Sequence, residues 1–297
     1  APGENLRTDS ARLWDSLMEM AKIGPGVAGG NNRQTLTDAD AEGRRLFQRW
    51  CEEAGLSMGV DEMGSMFATR AGEDPDALPV YMGSHLDTQP TGGKYDGVLG
   101  VLGALEVVRT LNDLGIRTKH PIVVTNWTNE EGTRFAPAML ASGVFAGVID
   151  RDYAYDRRDA KGLRFGDELE RIGWKGTEKV GARRMKAMFE LHIEQGPILE
   201  AEGFDIGFVA VGQGHRWYDI VVTGFGSHAG PPVRVLPQQK PVGDAQSQQQ
   251  KDRHRRQDQR TSHAFPSLGR HTTLPASSTD SRNTSRGDRT PASRSRA

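Results

Sequence analysis

The apolar pattern of this chain stops at Pro231-Pro232, and this break limits the part that can build a folded core to the first 230 residues. Residues 231–297 are rich in Ser, Arg, Gln, Thr and Pro, and they carry 13 Lys and Arg against 5 Asp and Glu. Such a segment buries too little apolar surface to offset its ordering entropy, so we predict a disordered tail. Its one aromatic residue, Phe265, offers no platform for stacked bases, so nucleic acid is not an expected partner.

The first 230 residues alternate helical and strand patterns. Helices are predicted from Asp9 and Ser10 through Met20, over about 38–54 and over 98–114. Strands are predicted at 78–82, 121–127 and 187–192. The strand, helix, strand order favours an α/β fold with a mixed, mainly parallel sheet flanked by helices over residues 1–208. Two further strands, at 206–213 and 217–223, predict the start of a second, α+β domain at 209–230.

Charge and cysteine content restrict the kinds of site and compartment. Residues before 231 hold 25 Lys and Arg against 34 Asp and Glu, an ordinary balance for an enzyme in solution. The single cysteine, Cys51, excludes an internal disulfide and a zinc-thiolate cluster. No apolar run approaches the length of a membrane span, and we expect a cytoplasmic protein without a membrane partner.

Polar motifs follow the predicted strands. GSHLDT at 83–88 follows the first strand, TNEEG at 128–132 follows the second, and HIEQGP at 192–197 follows the third. Asp96 lies between the first two motifs, directly before a predicted helix. Ligand sites collect at the carboxyl ends of strands in open α/β sheets, so these motifs are expected to converge.

Each motif alone has a plain structural explanation. His85 and Asp87 could form a polar turn, and Asp96 could cap the helix that begins at Val98. Glu130 and Glu131 could form a solvated acidic loop, and a single histidine at 192 could be structural. Their convergence instead predicts a hydrolytic metal site with His and carboxylate ligands, which suit zinc, manganese or cobalt.

In this order the motifs resemble the di-zinc amidohydrolase and peptidase superfamily. Within it they are most similar to the N-carbamoyl-L-amino acid hydrolase, allantoate amidohydrolase and beta-ureidopropionase branch, over about residues 8–230. The histidine at 192 favours this branch, because peptidase branches usually place a carboxylate there. GHRW at 214–217 and SHAG at 227–230 resemble the start of the family's lid, or dimerisation, domain. The resemblance implies a zinc-exopeptidase-like catalytic domain and a homodimer. It also implies metal-dependent hydrolysis of a non-peptide C–N bond in an N-carbamoyl-L-amino acid, allantoate or a related ureido acid.

The resemblance also implies the metal ligands. His85, Asp96 and His192 match the ligands of one zinc. Asp96 would bridge to a second zinc, which Glu131 would also bind. The implied cofactors are therefore two divalent ions, zinc above manganese or cobalt.

The remaining roles concern catalysis and the substrate. Glu130 matches the general base that takes a proton from a metal-bridging water, and Asp87 matches the residue that orients His85. His228 matches a lid histidine that stabilises the oxyanion and contacts the substrate. Gln195 is a candidate contact of the ureido group.

The sequence departs from the family after residue 230. Family members complete the second zinc with a later histidine in a Gly-His-Asp setting, but His254, His263 and His271 all lie in the biased tail. The family's lid Asn and Arg also have no match. We therefore expect a truncated or frame-shifted chain with an incomplete second site. Three hypotheses stay open: an active amidohydrolase, an inactive fragment, and a dipeptidase or aminoacylase, which the histidine at 192 disfavours.

Overall fold

The computed structural model describes residues 6–212 and the single residues 214, 220, 221 and 223. Within these residues the strands are β1 (Ser57–Val60), β2 (Met66–Arg70), β3 (Val80–His85), β4 (Ile122–Trp127) and β5 (Ala187–Phe189). The helices are α1 (Ser10–Met20), α2 (Asp38–Glu53), α3 (Val98–Asp113), α4 (Leu140–Phe145), α5 (Arg151–Tyr155), α6 (Phe165–Arg171) and α7 (Ile198–Glu202).

The five strands form one mixed sheet in the order β1-β2-β4-β3-β5. Strand β2 is antiparallel to β1 and β4, whereas β3 is parallel to β4 and to β5. Four strands therefore run in one direction and only β2 opposes them. The predicted fold class, a mixed and mainly parallel sheet flanked by helices, is confirmed.

The three long helices begin and end for local chemical reasons. The Asp9 side chain accepts a hydrogen bond from the Arg12 N–H and caps α1, and Thr37 caps α2 in the same way. Helix α3 begins after Gly97, which has φ 67° and is its N-cap, so the alternative interpretation of Asp96 as the N-cap is wrong. Gly115 follows the end of α3 at φ 63°, the left-handed position that favours glycine.

Apolar side chains cover both faces of the sheet. The larger core cluster includes side chains from α1, α2 and α3 and from the strands, with Met20, Phe47 and Val101 fully buried. The smaller cluster on the central strands consists of Phe67, Tyr81, Val123 and Trp127. Burial of one large apolar side chain stabilises a fold by roughly 1.5–3 kcal/mol, so these clusters fix the strands that present the polar motifs.

Two strand predictions differ from the structure. The strand expected at 187–192 ends at Phe189, so His192 lies beyond it. Residues 206–212 form no strand, and Phe208 is 96% exposed. A strand needs hydrogen-bonded partners, and no described strand pairs with this segment. Of its predicted partner at 217–223, only residues 220, 221 and 223 are described, and the predicted tail at 231–297 lies outside the described residues.

No described helix is both long and apolar enough to cross a bilayer.

Candidate metal centre

The carboxyl ends of three strands meet at one edge of the sheet. His85 is the last residue of β3 and lies opposite Trp127, the last residue of β4, in the parallel register. The TNEEG motif at 128–132 follows directly. Strand β5 pairs with β3 on its other side, and His192 follows β5 by three residues. Topology therefore brings the polar motifs together, as the strand-end pattern predicted.

His85, Asp96 and His192 form a compact cluster. One nitrogen or oxygen atom from each lies within 4.8 Å of the others. The Asp96 Oδ1 atom is 3.2 Å from His192 Nε2 and 3.9 Å from His85 Nε2. Two ligands bound to one zinc at tetrahedral angles lie about 3.4 Å apart, so these separations suit a shared cation.

The histidine tautomers add a second argument for a cation. His85 Nδ1 is 2.8 Å from the Asp87 carbonyl oxygen, and His192 Nδ1 is 2.9 Å from the Ile193 carbonyl oxygen. A carbonyl only accepts, so each Nδ1 is the donor and each neutral ring presents an Nε2 lone pair. Both lone pairs face a carboxylate oxygen of Asp96. A proton or a metal cation must lie between them, because lone pairs at these distances repel.

Two glutamates stand beside this cluster. Glu130 Oε2 is 3.4 Å from His85 Nε2. Glu131 Oε2 accepts a 3.0 Å hydrogen bond from Gln89 Nε2, while its buried Oε1 has no protein partner. A buried carboxylate oxygen without a donor is costly unless a cation satisfies it. The donor set therefore fits divalent cations that prefer nitrogen and oxygen ligands.

Asp87 connects the two strand ends in an unexpected way. Its carboxylate oxygens accept the backbone N–H groups of Glu130 and Glu131, each at 3.3 Å. Its backbone carbonyl, rather than its carboxylate, holds the Nδ1 atom of His85. Asp87 is thus placed to hold both the His85 ring and residues 128–132, which we call the glutamate loop.

Burial shifts the pKa values of the acidic groups upward. Loss of solvation raises the pKa of Glu130, opposed by the neighbouring His85, and it also raises the pKa of Asp87. Loss of solvation raises the pKa of Glu131 as well, against the lowering effect of the hydrogen bond from Gln89. These shifts bring the pKa values of the carboxyl groups closer to neutral pH, the range in which a general acid or base exchanges protons most effectively.

Backbone conformation and a close contact determine which residue can follow Asp96. A Cβ atom on Gly97 would lie 2.3 Å from His85 Nε2, and Gly97 has φ +67°. Both facts require glycine at this position. Glycine at the end of the GGKYDG sequence, residues 92–97, thus lets the start of α3 approach the His85 ring.

The structure describes one of the two candidate substrate-binding residues. Gln195 Nε2 donates a 2.6 Å hydrogen bond to Asp96 Oδ2, so this side chain lies at the cluster. His228 lies outside the described residues. Sequence reasoning missed Gln89, which contacts Glu131, and Glu190, which accepts a hydrogen bond from Ser84 Oγ. Gln89 directly follows the motif at 83–88 and Glu190 lies two residues before the motif at 192–197, and that proximity is the signal that could have found them.

The fold and the site together define an α/β protein with a candidate divalent-metal centre at the carboxyl edge of its sheet. The chain belongs to Peptidase family M20/M25/M40, whose model matches residues 81–279. This match confirms the resemblance drawn from the motifs. It also extends past residue 230, where the motif resemblance was expected to stop.

Individual relatives are similar over about three quarters of the chain. The N-carbamoyl-L-amino-acid amidohydrolase of Rhizobium meliloti is 75% identical over 230 residues, which cover 77% of this chain and 55% of the relative. The ureidoglycolate hydrolase of Arabidopsis thaliana is 33% identical over 235 residues, which cover 76% of this chain and 49% of the relative.

A solved structure gives the same result. The crystal structure of an amidase of the hydantoinase/carbamoylase family from Burkholderia multivorans matches with a TM-score of 0.66 and 59% identity, over 67% of this chain and 48% of that chain. The present chain therefore spans about half the length of the relatives it matches.

Proposed function

We propose that this site hydrolyses the C–N bond of a carbamoyl or ureido group in a small N-carbamoyl-L-amino acid. The observation that carries the proposal is the position of Glu130, whose Oε2 lies 3.4 Å from His85 Nε2 beside the cluster of two histidines and Asp96. The 75% identity to the Rhizobium meliloti amidohydrolase supports this substrate class.

The residues would divide the chemistry between them. His85, Asp96 and His192 would hold one divalent cation, and Asp96 and Glu131 would hold a second. When bound, the cations would polarise the scissile carbonyl and lower the pKa of a water molecule. We propose zinc, with manganese or cobalt as alternatives. Glu130 Oε2 would take the proton from the attacking water and deliver it to the leaving nitrogen as the C–N bond breaks.

Other side chains would support that proton transfer. Asp87 would keep Glu130 and Glu131 in place through their backbone N–H groups. Gln195 would hold Asp96 or contact the ureido group, and His228 would stabilise the oxyanion. We propose a cytoplasmic enzyme that forms a homodimer.

A second candidate function is metal binding without turnover. It is favoured by the described part of the chain, in which the group of side chains close enough to hold a cation is His85, Asp96 and His192. A chain of this kind would hold the first cation through His85, Asp96 and His192 and would not complete the catalytic machinery.

Metal analysis and turnover of Glu130→Gln test these functions together. The wild-type chain is expected to bind about two metal ions and to release the free amino acid from N-carbamoyl-L-amino acids. Glu130→Gln should keep the metal and lose roughly 10²- to 10⁴-fold in kcat, because the proton acceptor is gone. The control is Glu53→Gln, whose side chain is 62% exposed on α2.

The outcomes separate the hypotheses. Metal without turnover supports the second candidate. Turnover of ureidoglycolate alone moves the substrate to that ureido acid, and turnover of dipeptides alone favours a dipeptidase or aminoacylase. Full activity of Glu130→Gln on carbamoyl substrates would contradict the role of Glu130.

A further inference from the structure

A fully buried arginine lies behind the glutamate loop. Arg44 on α2 is 1% exposed, and its guanidinium group donates in three directions. Nε donates to Asp40 Oδ2 at 2.9 Å, Nη1 donates to the Gly64 carbonyl at 2.7 Å, and Nη2 donates to Thr128 Oγ1 at 3.0 Å. The Asp40 side chain is also 1% exposed, so the two charges balance each other inside the protein.

Thr128 is the first residue after β4 and directly precedes Asn129, Glu130 and Glu131. It is fully buried. The next residue, Asn129, has φ +57°, a left-handed conformation that a non-glycine residue adopts only when its surroundings hold it. The chain therefore makes a constrained turn between the hydroxyl that Arg44 holds and the two carboxylates of the candidate centre.

The other described hydrogen bonds that hold this turn have uncharged donors, and several of them are long. Asn129 Nδ2 donates to the Phe135 carbonyl at 2.8 Å, and the Met139 N–H donates to the Glu130 carbonyl at 2.6 Å. The Asp87 carboxylate accepts the Glu130 and Glu131 N–H groups at 3.3 Å, near the limit for a hydrogen bond. The Arg44 contact brings a charged donor to the point where the turn leaves the sheet, and charge-assisted hydrogen bonds are the strong ones.

We propose that Arg44 is a positioning residue that sets the direction of the glutamate loop through Thr128 Oγ1. The inference rests on the proposed function in one respect, namely that Glu130 and Glu131 serve the metal centre. Arg44 itself touches neither carboxylate. It acts through Thr128, and Asp40 keeps its guanidinium group oriented.

Arginine suits this position better than lysine. Its planar fork reaches Asp40, Gly64 and Thr128 at once, while a lysine ammonium is a point charge that satisfies fewer fixed acceptors. Arg44→Lys should therefore keep the positive charge beside Asp40 and lose the hydrogen bond to Thr128 Oγ1. The sharpest variant is Thr128→Val, which keeps the shape of the side chain and removes only the hydroxyl.

The chain supplies a matched control on β4, the strand that directly precedes Thr128. Thr125 is fully buried on β4, three residues before Thr128, and its Oγ1 has no hydrogen-bond partner. Thr125→Val makes the same chemical change without removing a contact. A general effect of replacing a buried threonine by valine would appear in both variants, and an effect on the turn would appear only at residue 128.

Amide hydrogen exchange of the metal-free full chain tests the proposal, together with zinc affinity by chelator competition. Thr128→Val should raise the exchange of a peptide covering 128–135 by about tenfold or more, with no change in a peptide covering β1 and β2. It should also weaken zinc binding by about tenfold, as the loss of a supporting contact does at other metal sites. Thr125→Val should alter neither.

The two proposals fail in different ways. A wild-type chain that hydrolyses nothing sinks the proposed function, while the exchange of the 128–135 peptide still reports on Arg44. Unchanged exchange in Thr128→Val, or an increase spread evenly over the chain, overturns the positioning role. If Thr128→Val does not fold, the same measurements on Arg44→Lys decide the question, with the same expected direction.

Discussion

Asp96 is the residue on which the geometry of the candidate centre depends. Its Oδ1 atom faces the Nε2 atoms of both His192 and His85, and its Oδ2 atom accepts the hydrogen bond of Gln195. A carboxylate held at both oxygens has little freedom to adapt to a misplaced neighbour. Small displacements of the backbone at 96 and 97 should therefore affect metal binding strongly.

The first prediction concerns Gly97→Ala. The added methyl group would meet the His85 ring, and φ +67° is unfavourable for alanine. We expect zinc affinity to fall by about 10- to 100-fold and the free energy of unfolding to fall by about 1–3 kcal/mol. Calorimetric titration and urea unfolding measure the two effects.

Gly93→Ala is the control for this experiment. A Cβ atom there meets nothing within 4 Å. Zinc binding by Gly97→Ala at the wild-type affinity would show that the close approach of α3 to His85 is not needed.

At the scale of elements, a buried carboxylate joins α1 to α3. Glu106 on α3 is fully buried and accepts hydrogen bonds from the Asp9 N–H and from two nitrogens of Arg12. Arg12 also pairs with Asp113, whose side chain is 58% exposed. The same arginine therefore has one partner inside the protein and one in solvent.

The second prediction compares these partners. Glu106→Gln should lower the free energy of unfolding by about 2 kcal/mol, because a charge-assisted contact is lost and an amide group faces the guanidinium. Asp113→Asn should cost less than about 1 kcal/mol, because water screens an exposed ion pair. Urea unfolding of both variants checks the difference, and equal losses would be the contrary result.

Elements with strong local signals could be predicted from the sequence. The capping residues Asp9 and Ser10 placed α1, and apolar runs placed β3 and β4 within two residues of their observed starts. Strands β1 and β2 were missed. They are four and five residues long and exist through pairing with each other and with β4, which local patterns do not encode.

The candidate site was predictable to the extent that it depends on strand ends. Parallel strands put His85 and the glutamates at one edge, so their convergence followed from the motif order. The carboxylate of Asp87 bonding to backbone N–H groups and the path from Arg44 to Thr128 could not be foreseen. Both depend on three-dimensional contacts between residues 43 and 84 positions apart in the sequence.

At the scale of the whole molecule, buried acids set how stability varies with pH. Asp61, in the turn between β1 and β2, lies outside the candidate centre. Burial raises its pKa to about 7, although its Oδ1 accepts the N–H groups of Met63 and Ser65. Its buried Oδ2 has no partner.

The third prediction follows from this raised pKa. Between the ordinary aspartate pKa of 3.8 and about 7, the folded chain keeps a proton that the unfolded chain has lost. The contribution of Asp61 to stability is therefore fully present below pH 3.8 and decreases as pH rises toward 7, by at most about 1.4 kcal/mol per pH unit. Asp61→Asn should remove this slope, so the variant gains stability relative to wild type as pH increases.

Urea unfolding between pH 4 and 8 measures the effect. The exposed Asp76→Asn serves as the control and should follow the wild-type curve. Parallel curves for Asp61→Asn and wild type would mean that the Asp61 carboxyl group does not bind its proton more tightly in the folded chain.

The shortness of β5 has a consequence for how the centre assembles. Three residue pairs join β5 to β3, and this short ladder precedes the segment that carries His192 toward Asp96. Short strands open more readily than long ones, and each opening would take one ligand away from the other two. The apparent affinity for a cation is then the intrinsic affinity reduced by the fraction of time that β5 is docked. A bound cation would in return hold the strand closed, and so act as a clasp between two segments of the chain that lie far apart in sequence.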